Sequence, residues 1–176
     1  MAKKSKAFSE LLRLQQGDRI EQREMQRLAK KMRKNPHANN VAGIVANPKG
    51  QVKMSAVLEQ FAEPYVEPLQ EFSEVKGMYR LAIVAWNAAL LPESDRPSLL
   101  DPVMEIATKG MNHKAKQELK TMVDDMMARK LELFDENKRH IIDFQIKDYG
   151  TEYYITVAAT LPKSFQPSSE DQPVSI

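Results

Sequence analysis

Cysteine is absent from this 176-residue sequence. That absence excludes disulfides, thiolate nucleophiles and cysteine-ligated zinc together, and it leads us to expect a reducing, cytoplasmic setting. Glycine is scarce, with six residues scattered along the chain, and neither GxxxxGK(S/T) nor GxGxxG occurs. The loops that cradle phosphates with closely approaching backbone are therefore missing. A GxSxG nucleophile elbow, an HExxH zinc motif and an EF-hand loop are missing too. We expect no cofactor. Long apolar runs are also lacking: the best one, residues 75–91, is interrupted by Arg80 and falls short of the ~18–20 residues of a membrane span. The basic N-terminus is not followed by the ~7–15 apolar residues of a secretory signal, so none is expected.

What is present is a charge asymmetry. The net charge is only +2, yet residues 1–53 carry 13 Lys/Arg against 4 Asp/Glu, a balance of +9. The remaining residues carry 13 against 20, a balance of −7. A basic arm on an acidic body calls for an anionic partner, or for the arm to fold back on its own domain.

The arm is expected to be helical. Residues 7–16 form a short helix that Gly17 ends, and Asp18 caps a second helix running to about residue 34. At 100° per residue, Arg19, Arg23, Arg27, Lys30 and Lys34 fall in one basic stripe, opposite Met25, Leu28, Ala29 and Met32. No aromatic residue lies between the basic ones, so any nucleic-acid contact would be to phosphates, weak in sequence preference and strongly salt-dependent. A solvated face on a helix packed through its methionines explains the same stripe. Residues 35–53, with Asn35-Pro36 and Asn47-Pro48-Lys49-Gly50, read as a linker around a short apolar run at 41–46.

The body, residues 54–161, is expected to be mainly α with a small β element: four to five helices and a C-terminal hairpin. Ser55 is the expected cap of a helix carrying Val57, Leu58 and Phe61, which Pro64 and Pro68 should break into two pieces around Tyr65. Residues 75–91, with the only tryptophan, Trp86, form the central helix, capped by Ser73 and stopped by Pro92; its apolar residues face nearly all directions. On it, Asn87 is expected to bond a loop or neighbouring carbonyl, and Arg80 to reach outward. Asp101-Pro102 should start a further short helix that Gly110 ends. A long helix follows over residues 113–134. Its Met122, Met126 and Met127 are a candidate partner groove, although core packing is the simpler reading. The period then changes to two, with Ile142, Phe144 and Ile146 on one face of a strand, a turn at 148–151, and Tyr153, Ile155, Val157, Ala159 and Leu161 on the next. The Pro/Ser-rich tail, residues 162–176, is expected to be disordered.

Chemistry finds one weak foothold. Asp124, Asp125, Glu132, Asp135, Glu136, His140 and Asp143 crowd the junction between long helix and strand. Carboxylates converging there would hold a hard cation for hydrolysis, with His140 as a base. Lys138 and Arg139 interleave with them, and local ion pairing accounts for the same residues. His37 and His113 have no neighbour at ligand spacing. The leading expectation is a non-catalytic adaptor whose arm meets an acidic protein partner or nucleic-acid backbone. The alternatives are a nucleic-acid-binding accessory protein of low specificity and a metal-dependent hydrolase. Self-association through the arm's methionine seam or a hairpin edge is also open.

Overall fold

The computed structural model describes residues 52–148 and 153–160, with Arg23, Gln26, Arg27 and Lys30 of the arm and two short strands at 43–44 and 174–175. The expected helix over 7–16, the Asp18 cap, the arm's apolar seam, the hairpin turn and most of the tail lie outside the described residues. The body is four helices and an antiparallel hairpin, as the periodicities predict. In chain order these are α1 (Met54–Val66), α2 (Phe72–Ala89), a 3-10 turn (Glu93–Asp95), α3 (Arg96–Ala107), α4 (His113–Leu133), and the hairpin strands β2 (Ile141–Asp148) and β3 (Tyr153–Ala159). Two further strands, β1 (Gly43–Ile44) and β4 (Val174–Ser175), pair with each other. Within the expected linker and tail, Gly43 and Ile44 pair with Ser175 and Val174, so a tail wholly without structure is corrected.

α1 buries Met54, Val57, Leu58, Phe61 and Ala62, the i, i+3, i+4, i+7, i+8 row of an amphipathic helix. Its start is not capped by Ser55. Lys53 holds the cap position with no side-chain bond, and the entry is fixed from far along the chain. Arg139 Nη2 donates to the Val52 carbonyl at 2.9 Å, and Asn137 Nδ2 donates to the Met54 sulfur at 3.7 Å. Nor does Pro64 divide the helix; it lies inside the last turn. A proline there leaves the Gln60 carbonyl without its amide donor. Arg129 of α4 supplies donors instead, Nη2 to Gln60 O at 3.3 Å and Nε to Phe61 O at 3.2 Å.

α2 is the centre of the body and packs against α1, α3, α4 and β2. It begins after Glu71, whose side chain makes no cap, so Ser73 is not the N-cap. Leu81, Ala82, Ala85, Trp86, Ala88 and Ala89 are buried, and the alanines allow close helix approach. Phe61, Trp86 and Phe134 form a triangle of edge-to-face rings with centroids 5.2, 5.7 and 5.8 Å apart. α3 starts at Arg96 rather than Asp101, because Ser98 and the 3-10 turn bond its first turn, Ser98 Oγ donating to Asp95 O at 2.6 Å. Pro102 sits mid-helix on the exposed side. Gly110, at φ +81°, makes the left-handed turn out of α3. Asn112 caps α4 by accepting from the Ala115 amide at 2.9 Å.

The hairpin is joined to α2 by side chains that bond its backbone. Trp86 Nε1 donates to Arg139 O at 2.9 Å. Asn87 Nδ2 donates to Ile141 O at 2.8 Å, and Asn87 Oδ1 accepts from Ile141 N at 3.0 Å. The sequence places Ile142 on the core face; the structure buries Ile141 instead, at 3% exposure. A register shift between Ile141 and Asp143 inserts one extra residue and reverses the alternation at the start of β2. Beyond the shift, Phe144 faces Val157 and Ile146 faces Ile155 as expected. Thr156 and Ala158, on the other face, are also buried, so this is not a hairpin with one plainly solvated side.

Urea unfolding of Trp86→Ala is expected to show a loss of ~3–5 kcal/mol, and Asn87→Ala a loss of about 2 kcal/mol, because it leaves both Ile141 backbone groups unpaired. Losses below half a kilocalorie at both positions (roughly the surface range) would contradict the described docking. For Arg129, a double-mutant cycle is the measure. Arg129→Met is expected to cost about 1–2 kcal/mol with Pro64 in place, and measurably less in Pro64→Ala, where a backbone amide returns to Gln60 O. Equal costs in the two backgrounds would show that Arg129 does not serve the proline-freed carbonyl.

Candidate functional site

Two surface features have the size and chemistry to receive another group. The first is a cleft of about 460 Å³ between α1 and α2, lined by Ala56, Glu59, Gln60, Glu63, Val66, Glu67 and Tyr79. The 3.6-residue period places Glu59, Glu63 and Glu67 in one row. All three are exposed, and none forms an ion pair among the described residues. Tyr79 forms the floor. It is 6% exposed, and its hydroxyl makes no hydrogen bond among the described residues. Burial, followed by the negative field of Glu59 and Glu63, pushes its phenol up to about 12. Desolvation by the cleft wall also raises the Glu59 carboxyl above its ordinary range.

The second feature is a groove of about 490 Å³ between α2, α3 and the start of α4, with Met78, Leu81, Val84, Val103, Ile106, Met111 and Leu119 among its walls. Ile106 is 77% exposed and Met111 41% exposed. It is not the groove that the methionine pattern suggests. Met126 and Met127 are buried in the core, and Met122 packs half-buried against it. They lie on the side of α4 that meets α2, because Val123, Met126, Met127 and Lys130 share one helical row. Core packing therefore accounts for these methionines, and the partner-groove expectation is corrected.

Of the basic stripe, Arg23, Arg27 and Lys30 are helical and exposed. Arg19 and Lys34 lie outside the described residues, as does His37. The acidic junction does not assemble. Asp135 is an exposed partner of Lys138, and that hydrogen bond is the main cause of its lowered carboxyl pKa. Asp143 Oδ1 accepts from the Phe144 amide at 2.8 Å, and the His140 backbone, not its ring, bonds Thr160. Among the described residues no three His, Asp or Glu side chains gather as metal ligands would. No helix among them is long and apolar enough to cross a membrane.

No family model, curated protein or solved structure matches the chain. The site must therefore be judged on its own chemistry. One cation that a sequence reader would count as surface charge is in fact interior: Lys130 is fully buried, with Nζ donating to Phe134 O at 3.0 Å and lying 5.0 Å from the Trp86 ring centroid. Burial lowers its pKa, with Lys138 adding to the effect. Its ammonium is taken up by the C-terminal carbonyl and the ring face, so it offers no nucleophile to solvent. Sequence reasoning missed the cleft. Glu59 and Glu63 show i, i+4 spacing, but nothing local reveals that Tyr79 lies beneath them.

The raised Tyr79 pKa has a signed consequence. The unfolded phenol ionises near 10 and the folded one near 12, so between these values the unfolded state has lost a proton that the folded state keeps. The Tyr79 contribution is whole below pH 10 and is lost as pH rises through that window. Chemical denaturation at a series of alkaline pH values is expected to show the chain losing stability more steeply than Tyr79→Phe. Parallel curves would show that the phenol is not held neutral in the cleft.

Proposed function

We propose that the protein is a non-catalytic interaction module of the adaptor kind. Its helical body and hairpin form a scaffold, and its basic N-terminal segment meets an anionic surface on an acidic protein or along a nucleic-acid backbone. The observation that carries the proposal is the set of Arg23, Arg27 and Lys30, each helical and exposed and followed by a body of opposite net charge. Spacings of four and three residues keep these cations on one side, where their fields add at a facing anion. Three of the body's cations do not share this role: Arg139 and Lys130 are buried, and Arg129 bonds two carbonyls of α1. An acidic protein face is the preferred partner, since the stripe has no interleaved aromatic residue on which bases would stack.

The phosphate-backbone reading shares the same cations, and salt dependence separates the two. A labelled oligonucleotide and an acidic polypeptide, titrated separately by fluorescence anisotropy, provide the comparison. The triple change Arg23→Ala, Arg27→Ala and Lys30→Ala is expected to weaken binding roughly tenfold or more while leaving the melting temperature unchanged. A phosphate partner is expected to show a linear fall of log affinity with log salt, steeper by about one unit per phosphate contacted. Affinity that is unchanged by the triple substitution for both probes would end the proposal.

A further inference from the structure

We infer that the outward face of the hairpin is the seat of the basic N-terminal segment, which docks there through its apolar seam, Met25, Leu28, Ala29 and Met32, and so holds its cations toward solvent. The docking stands on the hairpin and the seam; only the use of the displayed cations rests on the function proposed above. The strand register sorts the side chains into two faces. Phe144, Ile146, Ile155 and Val157 face α1 and α2, and Ile146 and Ile155 belong to the main core with Ile141. Asp143, Gln145, Lys147, Tyr154, Thr156 and Ala158 alternate with them and point the other way. A hairpin lying on helices commonly leaves its second face to water. Here none of the six is exposed, and Thr156 and Ala158 are each only 4% exposed. Ala158 is as hidden as Ile155, yet it lies outside the main core. A second layer therefore covers this face.

What the cover fails to supply tells its chemistry. Gln145 and Thr156 stand directly opposite each other across the strands, and Gln145 Oε1 and Thr156 Oγ1 are both buried without a hydrogen-bond partner. A polar cover would have brought a donor to them, because buried polar atoms nearly always find one. The layer above them is therefore apolar. The tail leaves from the same end of the hairpin, but residues 162–176 are rich in Ser and Gln. The seam of the arm carries no side-chain N–H or O–H at Met25, Leu28, Ala29 or Met32.

The arm fits this seat in direction, length and reach. Arg23, Gln26, Arg27 and Lys30 are exposed, and at 100° per residue they share an arc of roughly 100°. Met25, Leu28 and Met32 lie opposite the middle of that arc, so a helix seated by these three turns the other four outward. The seam rises about 10 Å from Met25 to Met32, within the ~13 Å that the strand advances from Asp143 to Lys147. The chain enters the body at Val52, whose carbonyl accepts from Arg139 Nη2 at 2.9 Å, just before β2 begins at Ile141. Ile141 pairs with Ala159, so the entry lies at the end of the hairpin that carries Ala158. Residues 33–51 can span roughly 60 Å when extended, well beyond the ~23 Å of a seven-residue strand.

Because the chain has no cysteine, disulfide trapping in the full chain reads the contact directly. The pair Leu28→Cys with Ala158→Cys is expected to close within one chain roughly tenfold faster than Arg23→Cys with Ala158→Cys, whose arm position lies on the far side of the helix. Equal rates for the two pairs would overturn docking through the seam. Faster closure of Ala158→Cys with Val45→Cys, or with Phe165→Cys, would give the cover to the 41–46 run or to the tail and overturn the arm as occupant. A disulfide-linked dimer as the main product would make a second copy the occupant and overturn the assignment to the same chain. Emission from the buried Trp86 reports that each variant is folded. Thr156→Val provides a second measurement, since it keeps the shape and removes the unpaired hydroxyl. It is expected to raise the effective concentration of the Leu28/Ala158 pair, read against glutathione, about fivefold. A fall would mean that the cover bonds the hydroxyl, and would overturn an apolar seat. The trapped chain is expected to bind the acidic anisotropy probe as tightly as the reduced one, and loss of binding on trapping would overturn the outward display. Trapping without probe binding in either form would sink the proposed function and leave the seat standing; probe binding without trapping would do the reverse.

Discussion

One turn of α2 holds the body together. Trp86 donates to Arg139 O and Asn87 exchanges two bonds with Ile141, so a helix reads the backbone of a strand as a neighbouring strand would. The edge of β2 at Ile141 would otherwise present an amide and a carbonyl that are partly buried and unpaired. Because Trp86 also belongs to the ring triangle with Phe61 and Phe134, the same turn ties the hairpin to α1 and to the end of α4. The connection closes through Arg139. Its carbonyl is held by Trp86 while its guanidinium holds Val52 O, the point at which the chain enters α1. Residues almost ninety apart in sequence are thereby fixed by one side chain and one backbone group of the same residue.

The interior cations follow a common rule. Lys130 and Arg139 are buried without a carboxylate in bonding range among the described residues, and each is satisfied by oxygen dipoles: Phe134 O for one, Val52 O and Asn137 Oδ1 for the other. Arg129, half-buried, does the same for two carbonyls of α1. Burying a charge is expensive, and oxygen dipoles offset part of the cost. At the proline-freed turn of α1 the Gln60 carbonyl would otherwise lack its helical donor, whereas Phe134 O also accepts from the Asn137 amide at 3.0 Å.

Periodicity made the long helix, the central helix and the hairpin legible, because each signal is local and repeats over many residues. The starts and breaks were not legible. Ser55, Ser73 and Asp101-Pro102 all look like caps, yet α1 begins at Met54, α2 at Phe72 and α3 at Arg96. For α1 the deciding contacts come from Asn137 and Arg139, which no window around residue 54 contains. Pro64 misleads for the same reason, since its compensation comes from Arg129 on another helix. The inward turn of Ile141 in place of Ile142 depends on a bulge and on Asn87, again a contact over more than fifty residues. Asn87 itself was legible in kind, as a residue that bonds a carbonyl, but its partner was not. The methionines failed as a site because a groove and a core share one sequence signature, and only the position of α2 tells them apart.

The central helix divides its work along its length. Its C-terminal half, from Ala85 to Ala89, holds the core and the strand. Its N-terminal half lines both surface features, with Tyr79 beneath the acidic cleft and Met78, Leu81 and Val84 in the apolar groove. Adjacent residues on a helix point about 100° apart, so Met78 and Tyr79 serve different surfaces from neighbouring positions. Seven residues, about 10 Å of helix rise, separate Tyr79 from Trp86. That distance lets the cleft chemistry vary without loosening the bonds to Arg139 and Ile141, because effects at sites without shared partners are nearly additive. A helix apolar on almost all sides is thus more than a structural pillar. Its buried face fixes the hairpin, and its N-terminal half lines the acidic cleft through Tyr79 and the apolar groove through Met78, Leu81 and Val84.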